Sequence, residues 1–221
     1  MKTFKELQEG VYDPHIFKAI FLAGGPGSGK SYVTRKVTGG LGLKVVNSDP
    51  HFEKLIKAAG LSLSMPDDES DSREPLRVRA KVVREKQKKN YLEGRLGIII
   101  DGTAKDADKL ISQSNGLMSL GYDTHMISVN TSIDVALQRN AERPRSVPEP
   151  VVVDAWKAVQ NNIGQFSQHF SGGRFIAVDN NDASEDELAK VWKIVRRLVK
   201  KKVTNTRAKN WISMELAKKR R

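Results

Sequence analysis

Gly24-Gly25-Pro26-Gly27-Ser28-Gly29-Lys30-Ser31 follows the apolar run Phe17–Ala23 (FKAIFLA) and opens a segment of helical patterning. The eight residues match G-x-x-x-x-G-K-[ST] in the strand–loop–helix setting that this pattern requires. Glycines let the backbone curl so that successive N–H groups point inward at phosphate oxygens, a concavity that a Cβ would obstruct. The helix that follows adds the partial positive charge of its N-terminus. Lys30 is placed to reach β- and γ-phosphates, and the Ser31 hydroxyl to ligate Mg²⁺. A nucleoside triphosphate is therefore the expected ligand of residues 24–31.

Outward from this loop, apolar runs alternate with helical patterns. Beside Phe17–Ala23 they are Leu43–Asn47 (LKVVN), Leu96–Ile100 (LGIII), His125–Val129 (HMISV) and Phe175–Val178 (FIAV). Unbroken apolar runs suit strands covered on both faces, so the expected fold is α/β. Its five-stranded, mainly parallel sheet would carry helices on both faces. Met65–Glu74 (MPDDESDSRE) reads as an acidic loop, and a helix is expected from about Glu74 to Glu93. Another opens at Thr131, capped with Asp134, and ends before Pro144. Val152, Ala155, Trp156, Val159, Ile163, Phe166 and Phe170 recur at helical spacing and read as core. So do Leu188, Val191, Trp192, Val195, Leu198 and Val199.

With 221 residues the chain suits one domain, read here as residues 1–203, followed by a basic tail over 204–221 with a short helix around Trp211 and Met214. The absence of cysteine excludes disulfide scaffolds, thiolate metal sites and thiol nucleophiles. No apolar run approaches the roughly 18 residues that span a bilayer, and the N-terminus lacks a signal peptide's apolar core, so a cytoplasmic protein with no membrane partner is expected. The net charge of +12 is concentrated at one end: residues 190–221 carry 13 Lys/Arg against the single acid Glu215, and the rest carries 25 of each sign. Such an end is either a solvated helix or a surface for a polyanion, nucleic acid above all.

A phosphate cradle does not by itself separate kinase, GTPase and motor. Three features narrow the choice. The second run ends in Asn47-Ser48-Asp49 and the third in Asp101-Gly102-Thr103, which puts two acids on the sheet edge where open α/β sheets bind ligands. Either acid could hold magnesium through water or accept a proton from an attacking hydroxyl. The third feature is Arg139, Arg143 and Arg145, followed by a proline-stiffened segment suited to a lid, where arginines would neutralise charge in phosphoryl transfer.

From about Ile20 to Ile163 the arrangement resembles the kinase domain of bacteriophage polynucleotide kinases and, more loosely, the zeta-toxin kinases. The resemblance rests on Gly-Pro-Gly-Ser-Gly-Lys-Ser, the strand-end Asn-x-Asp at Asn47–Asp49, Asp101-Gly102-Thr103, and Leu137-x-Arg-Asn-x-x-x-Arg with Val147-Pro148 after it. It implies an ATP- and Mg²⁺-dependent kinase of the P-loop nucleotide-kinase fold in which Asp49 is the general base and Arg139 is the lid arginine on the transferring phosphate, with Arg143 beside it as a further catalytic candidate. Lys30 would act on the phosphates, and Ser31 and Asp101 would serve the metal. Where that family has a second acid and an arginine after the aspartate, this chain has Pro50-His51-Phe52, so the acceptor site differs. The chain also looks like phage kinases that act on the hydroxymethyl group of a base within DNA.

The expected reaction is transfer of the γ-phosphate to a hydroxyl on nucleic acid, a 5′ end or a base hydroxymethyl group. Basic residues 77–89 and 190–221 would then track the backbone. A small-metabolite kinase, and a DNA-bound ATPase without acceptor, are the alternatives.

Overall fold

The computed structural model describes residues 10–219 with the exception of Pro144. The N-terminal residues 1–9, the first proline of the expected lid, and the last two cations of the basic end lie outside the described residues. Five strands form one sheet: β1 (Lys18–Ala23), β2 (Lys44–Val46), β3 (Ile98–Asp101), β4 (Asp123–Asn130) and β5 (Phe175–Asp179). Their order is β2-β3-β1-β4-β5, and every neighbouring pair is parallel. β1 lies at the centre with all six residues buried, which its uninterrupted apolar character requires.

Among the described residues eight α-helices pack around the sheet: α1 (Lys30–Thr38), α2 (Asp49–Ala58), α3 (Ser70–Glu93), α4 (Ala107–Ser119), α5 (Ile133–Ala141), α6 (Glu149–His169), α7 (Glu185–Lys200) and α8 (Thr206–Lys219). On one face Phe17, Phe21 and Met126 meet Leu110 and Leu117 of α4 and Phe166 of α6. On the other, Ile20, Leu22, Ile127 and Val129 meet Val33 and Val37 of α1 and Leu188, Val195 and Val199 of α7. A third, smaller cluster of Phe52, Ile56 and Ala80 joins α2 to α3 outside the sheet. No helix among the described residues is long and apolar enough to cross a membrane.

From β1 the chain crosses to the edge strand β2, and from β3 it crosses back over β1 to β4. The crevice outside the C-terminal ends of β1 and β3 is where such a sheet binds ligands.

Two local expectations are corrected. The acidic stretch is not all loop: a 3-10 turn covers Asp67–Glu69 and α3 starts at Ser70. Asp71 in its first turn complements the helix dipole, and buried Arg73 anchors the start by donating to the Pro66 carbonyl. Pro75 sits inside this helix, one turn from its start. The N-cap of α5 is Ser132, whose hydroxyl accepts from the Val135 N–H, and not Thr131, whose side chain is buried. Trp211 packs edge-on against Phe17 at 5.6 Å with the Arg95 guanidinium over its ring, which docks the C-terminal helix on the domain.

His125 on β4 yields a pH dependence. It is 6% exposed and neither ring nitrogen has a partner. Burial, with Lys18 close by and against the opposing pull of Asp123, lowers its pKa to about 4. The unfolded chain therefore binds a proton here between pH 6.5 and 4 that the folded chain refuses, and stability falls as pH falls through that window. Urea titrations should show a loss of about 2 kcal/mol between pH 7 and pH 5 from this group, absent in His125→Leu.

Candidate active site

Two glycines of the P-loop have no substitute. A Cβ on Gly27, at φ +78°, would lie 1.9 Å from the Ala136 carbonyl oxygen on α5. One on Gly29, at φ +75°, would lie 2.3 Å from Asn180 Nδ2 at the end of β5. The same Asn180 amide donates to the Ser28 carbonyl at 2.8 Å, so the loop is held from outside while its concave side stays clear. Gly29 is also the N-cap of α1 and offers no side-chain acceptor, which leaves first-turn N–H groups for a phosphate. Ser28 Oγ is buried without a partner, and Ser31 is exposed at the mouth. A cradle that admits no Cβ at Gly27 or Gly29, with a free helix N-terminus and an orphan hydroxyl, fits a nucleotide's phosphates.

Beyond the loop a polar chain links three elements. Lys30 Nζ is bonded to Asp101 at the end of β3, and Asn47 Nδ2 donates to the other Asp101 oxygen at 2.7 Å. Asn47 Oδ1 in turn accepts the Asp49 N–H at 2.8 Å. The lysine of the P-loop is thus joined through Asp101 and Asn47 to the first residue of α2. The Asp49 carboxylate, 56% exposed, faces Arg145 Nη2 at 3.3 Å, and Arg145 Nη1 donates to Glu53 at 3.1 Å. Among the described residues no group of three or more acidic or histidine side chains could hold a metal by itself. One hydroxyl (Ser31) and one carboxylate (Asp101) suit Mg²⁺ that takes its other ligands from phosphates and water.

The three arginines, expected together over the γ-phosphate, are spread apart. Arg139 donates to the carbonyls of Asn180 (2.6 Å) and Asn181 (2.8 Å) on the β5 side of the P-loop. There it borders a cleft of about 430 Å³ with Gly29, Tyr32 and Asp182. Arg143 is exposed just beyond α5, and Arg145 alone reaches Asp49. The segment between them is held by Asn140, whose side chain both donates to and accepts from the Val147 backbone.

Asp49 opens onto a second cleft, of about 170 Å³, which the sequence does not reveal. Ser48, Phe52, Met65, Arg77, Lys81 and Arg145 line it with Asp49. The Arg77 guanidinium lies 5.1 Å and that of Arg145 5.9 Å from the Phe52 ring centroid. Arg77, Lys81, Arg84 and Lys88 follow one another at i, i+4, i+7 and i+11, so they form a cationic stripe of about 16 Å along α3. His51, next to Asp49, is engaged with Gln87 of α3 at 3.0 Å.

Among solved structures, a candidate kinase from Chloroflexus aurantiacus J-10-fl is similar at a TM-score of 0.57 and 16% identity, over 81% of this chain and 97% of that one. The AvrRxo1-ORF1:-ORF2 structure with ATP is similar at a TM-score of 0.56 and 15% identity, over 75% of this chain and 55% of that one. At these identities the likeness speaks for the fold. No curated protein matches the sequence. The family model described as zeta toxin matches residues 7–187, from ahead of β1 into α7 and so across the P-loop, Asp49, Asp101 and the three arginines. The chain belongs to the zeta toxin family and is an ATP-dependent kinase built on the P-loop fold.

Proposed function

We propose that this kinase transfers the γ-phosphate of ATP to a hydroxyl on nucleic acid, either a 5′-hydroxyl end or the 5-hydroxymethyl group of a modified base in DNA. The observation that carries this reading is the cleft at Asp49, with an aromatic wall and three cations, continuing into the stripe along α3. A planar base suits the Phe52 ring, and phosphodiester groups suit Arg77, Lys81 and the cations beyond them. Asp49 accepts the hydroxyl proton as the oxygen bonds to the γ-phosphorus and the bond from that phosphorus to ADP breaks. Mg²⁺, held with Ser31 and Asp101, would neutralise phosphate charge. Lys30 does so from the protein side, and Arg145 meets an acceptor phosphate in exchange for Asp49 while its other nitrogen stays on Glu53.

The cleft's small volume favours one alternative, a phosphorylated small molecule that fills it without using the stripe. γ-Labelled ATP with Mg²⁺ decides, offered to 5′-hydroxyl oligonucleotides, hydroxymethylated duplex with blocked ends, and free nucleosides and nucleotides. Label is expected in an oligonucleotide. Arg77→Ala with Lys81→Ala should raise the KM for it about tenfold or more and leave the KM for ATP unchanged. Label only in small molecules, or only in free phosphate, would overturn the reading.

A further inference from the structure

Much of the positive charge of the described C-terminal residues lies on the edge of the sheet opposite the P-loop. All strands run parallel, so the residues that enter them mark that far edge. His15, just ahead of β1, has Nδ1 3.3 Å from the Val199 carbonyl near the end of α7. Arg207 at the start of α8 donates to the Ser119 carbonyl, ahead of β4, at 2.7 Å. Ala208 closes on Gly121, where an added Cβ would meet it at 3.1 Å. The six residues of β1 separate the two edges by about 20 Å. The C-terminal cations therefore do not line the cleft at Asp49.

Arg197, Lys200, Lys201, Lys202 and Lys209 are exposed on or beside this edge. None has a carboxylate within ion-pair distance among the described residues. Next to them opens a groove lined by Asn115, Asp123, Thr204, Asn205, Thr206 and Arg207; the Asp123 carboxylate is paired with Lys18, and the amide, hydroxyl and guanidinium groups are of the kinds that contact phosphodiesters. Most apolar side chains of both helices are turned inward: Val195 and Val199 are buried, and Trp211 and Ile212 pack on the core, while Ile194 and Met214 are exposed singly and form no continuous apolar face. A helix that lies on a bilayer needs its apolar face outward, so the chemistry here suits a nucleic-acid backbone and not a membrane.

We infer that this far edge is a second nucleic-acid-binding surface, an anchor that grips the backbone without reading sequence and is separate from the acceptor cleft. It holds one stretch of polymer while another reaches the catalytic edge. The test uses the full chain without ATP and a labelled 30-base-pair duplex with blocked ends and no hydroxymethylated base, followed by fluorescence anisotropy across a salt series. The wild type should bind with log affinity falling linearly in log salt. Arg197→Ala with Lys200→Ala, Lys201→Ala and Lys202→Ala should weaken binding about tenfold or more at low salt and make the slope shallower by about 3. The same variant should keep basal ATP turnover, which shows that it folds. Arg77→Ala with Lys81→Ala, which leaves the far edge intact, should weaken binding of this duplex by less than the fourfold variant does.

Unchanged affinity and slope in the fourfold variant would overturn the inference. So would a wild type that ignores the duplex, or one that prefers vesicles rich in phosphatidylserine. A chain that labels only small molecules yet grips duplex through this edge would lose the proposed acceptor and keep the anchor.

Discussion

Asp49→Asn is expected to leave ATP binding within about twofold of wild type and to lower phosphoryl transfer by about 100-fold or more. The geometry separates the two effects. Asp49 stands on the β2 side of the P-loop, tied to it only through Asn47 and Asp101, and no phosphate-cradling group depends on its carboxylate. Asparagine keeps the shape and the backbone N–H that Asn47 accepts, and Arg145 retains Glu53 as a partner. With the side chain more than half exposed, the fold should not register the change. What is lost is a base at the mouth of the cleft. Isothermal titration with a non-hydrolysable ATP analogue reads the binding, and single-turnover transfer of label reads the chemistry. Full turnover would move the base role to Asp101, which would first have to leave Lys30 and Asn47.

The parts of this site differ in how far the sequence exposes them. Residues 24–31 are contiguous and their conformation is local, so glycine spacing after an apolar run suffices to place them. The strand ends at Asn47 and Asp101 are legible for the same reason, since a parallel sheet brings its carboxyl ends to one edge. The wall of the acceptor cleft is not local. Arg77 faces Phe52 only because Phe52, Ile56 and Ala80 clamp α3 onto α2, and a pattern of scattered cations reads equally well as a solvated face.

The arginines after Leu137 show the converse error. Spacing puts Arg139 and Arg143 on one helix face, but α5 ends at Ala141. Asn140 then pins the chain at Val147, and the three guanidinium groups diverge. The C-terminal cations, too, are plain in composition, whereas their edge of the sheet is fixed by contacts of Trp211 and Ala208 that no periodicity announces.

Lys30→Ala should damage binding and chemistry together. Its ammonium is the one cation carried by the P-loop itself, at the first residue of α1, where the helix N-terminus already favours negative charge. A lost charge-assisted bond to phosphate is worth about 1.5–3 kcal/mol, so the ATP Kd should rise about tenfold or more. A group that meets developing transition-state charge contributes a further 10²–10³ in rate, so turnover at saturating ATP should fall by about that factor.

The same substitution strips Asp101 of its cation. That carboxylate is only 8% exposed and would keep Asn47 alone, at a cost to the fold of about 1–3 kcal/mol. A third variant separates the roles. Lys30→Ala with Asp101→Asn removes the unpaired charge, so thermal stability should recover while ATP binding and turnover stay low. Recovery of turnover along with stability would mean that Lys30 serves the fold and not the phosphate, and the P-loop's cation would have to come from another residue.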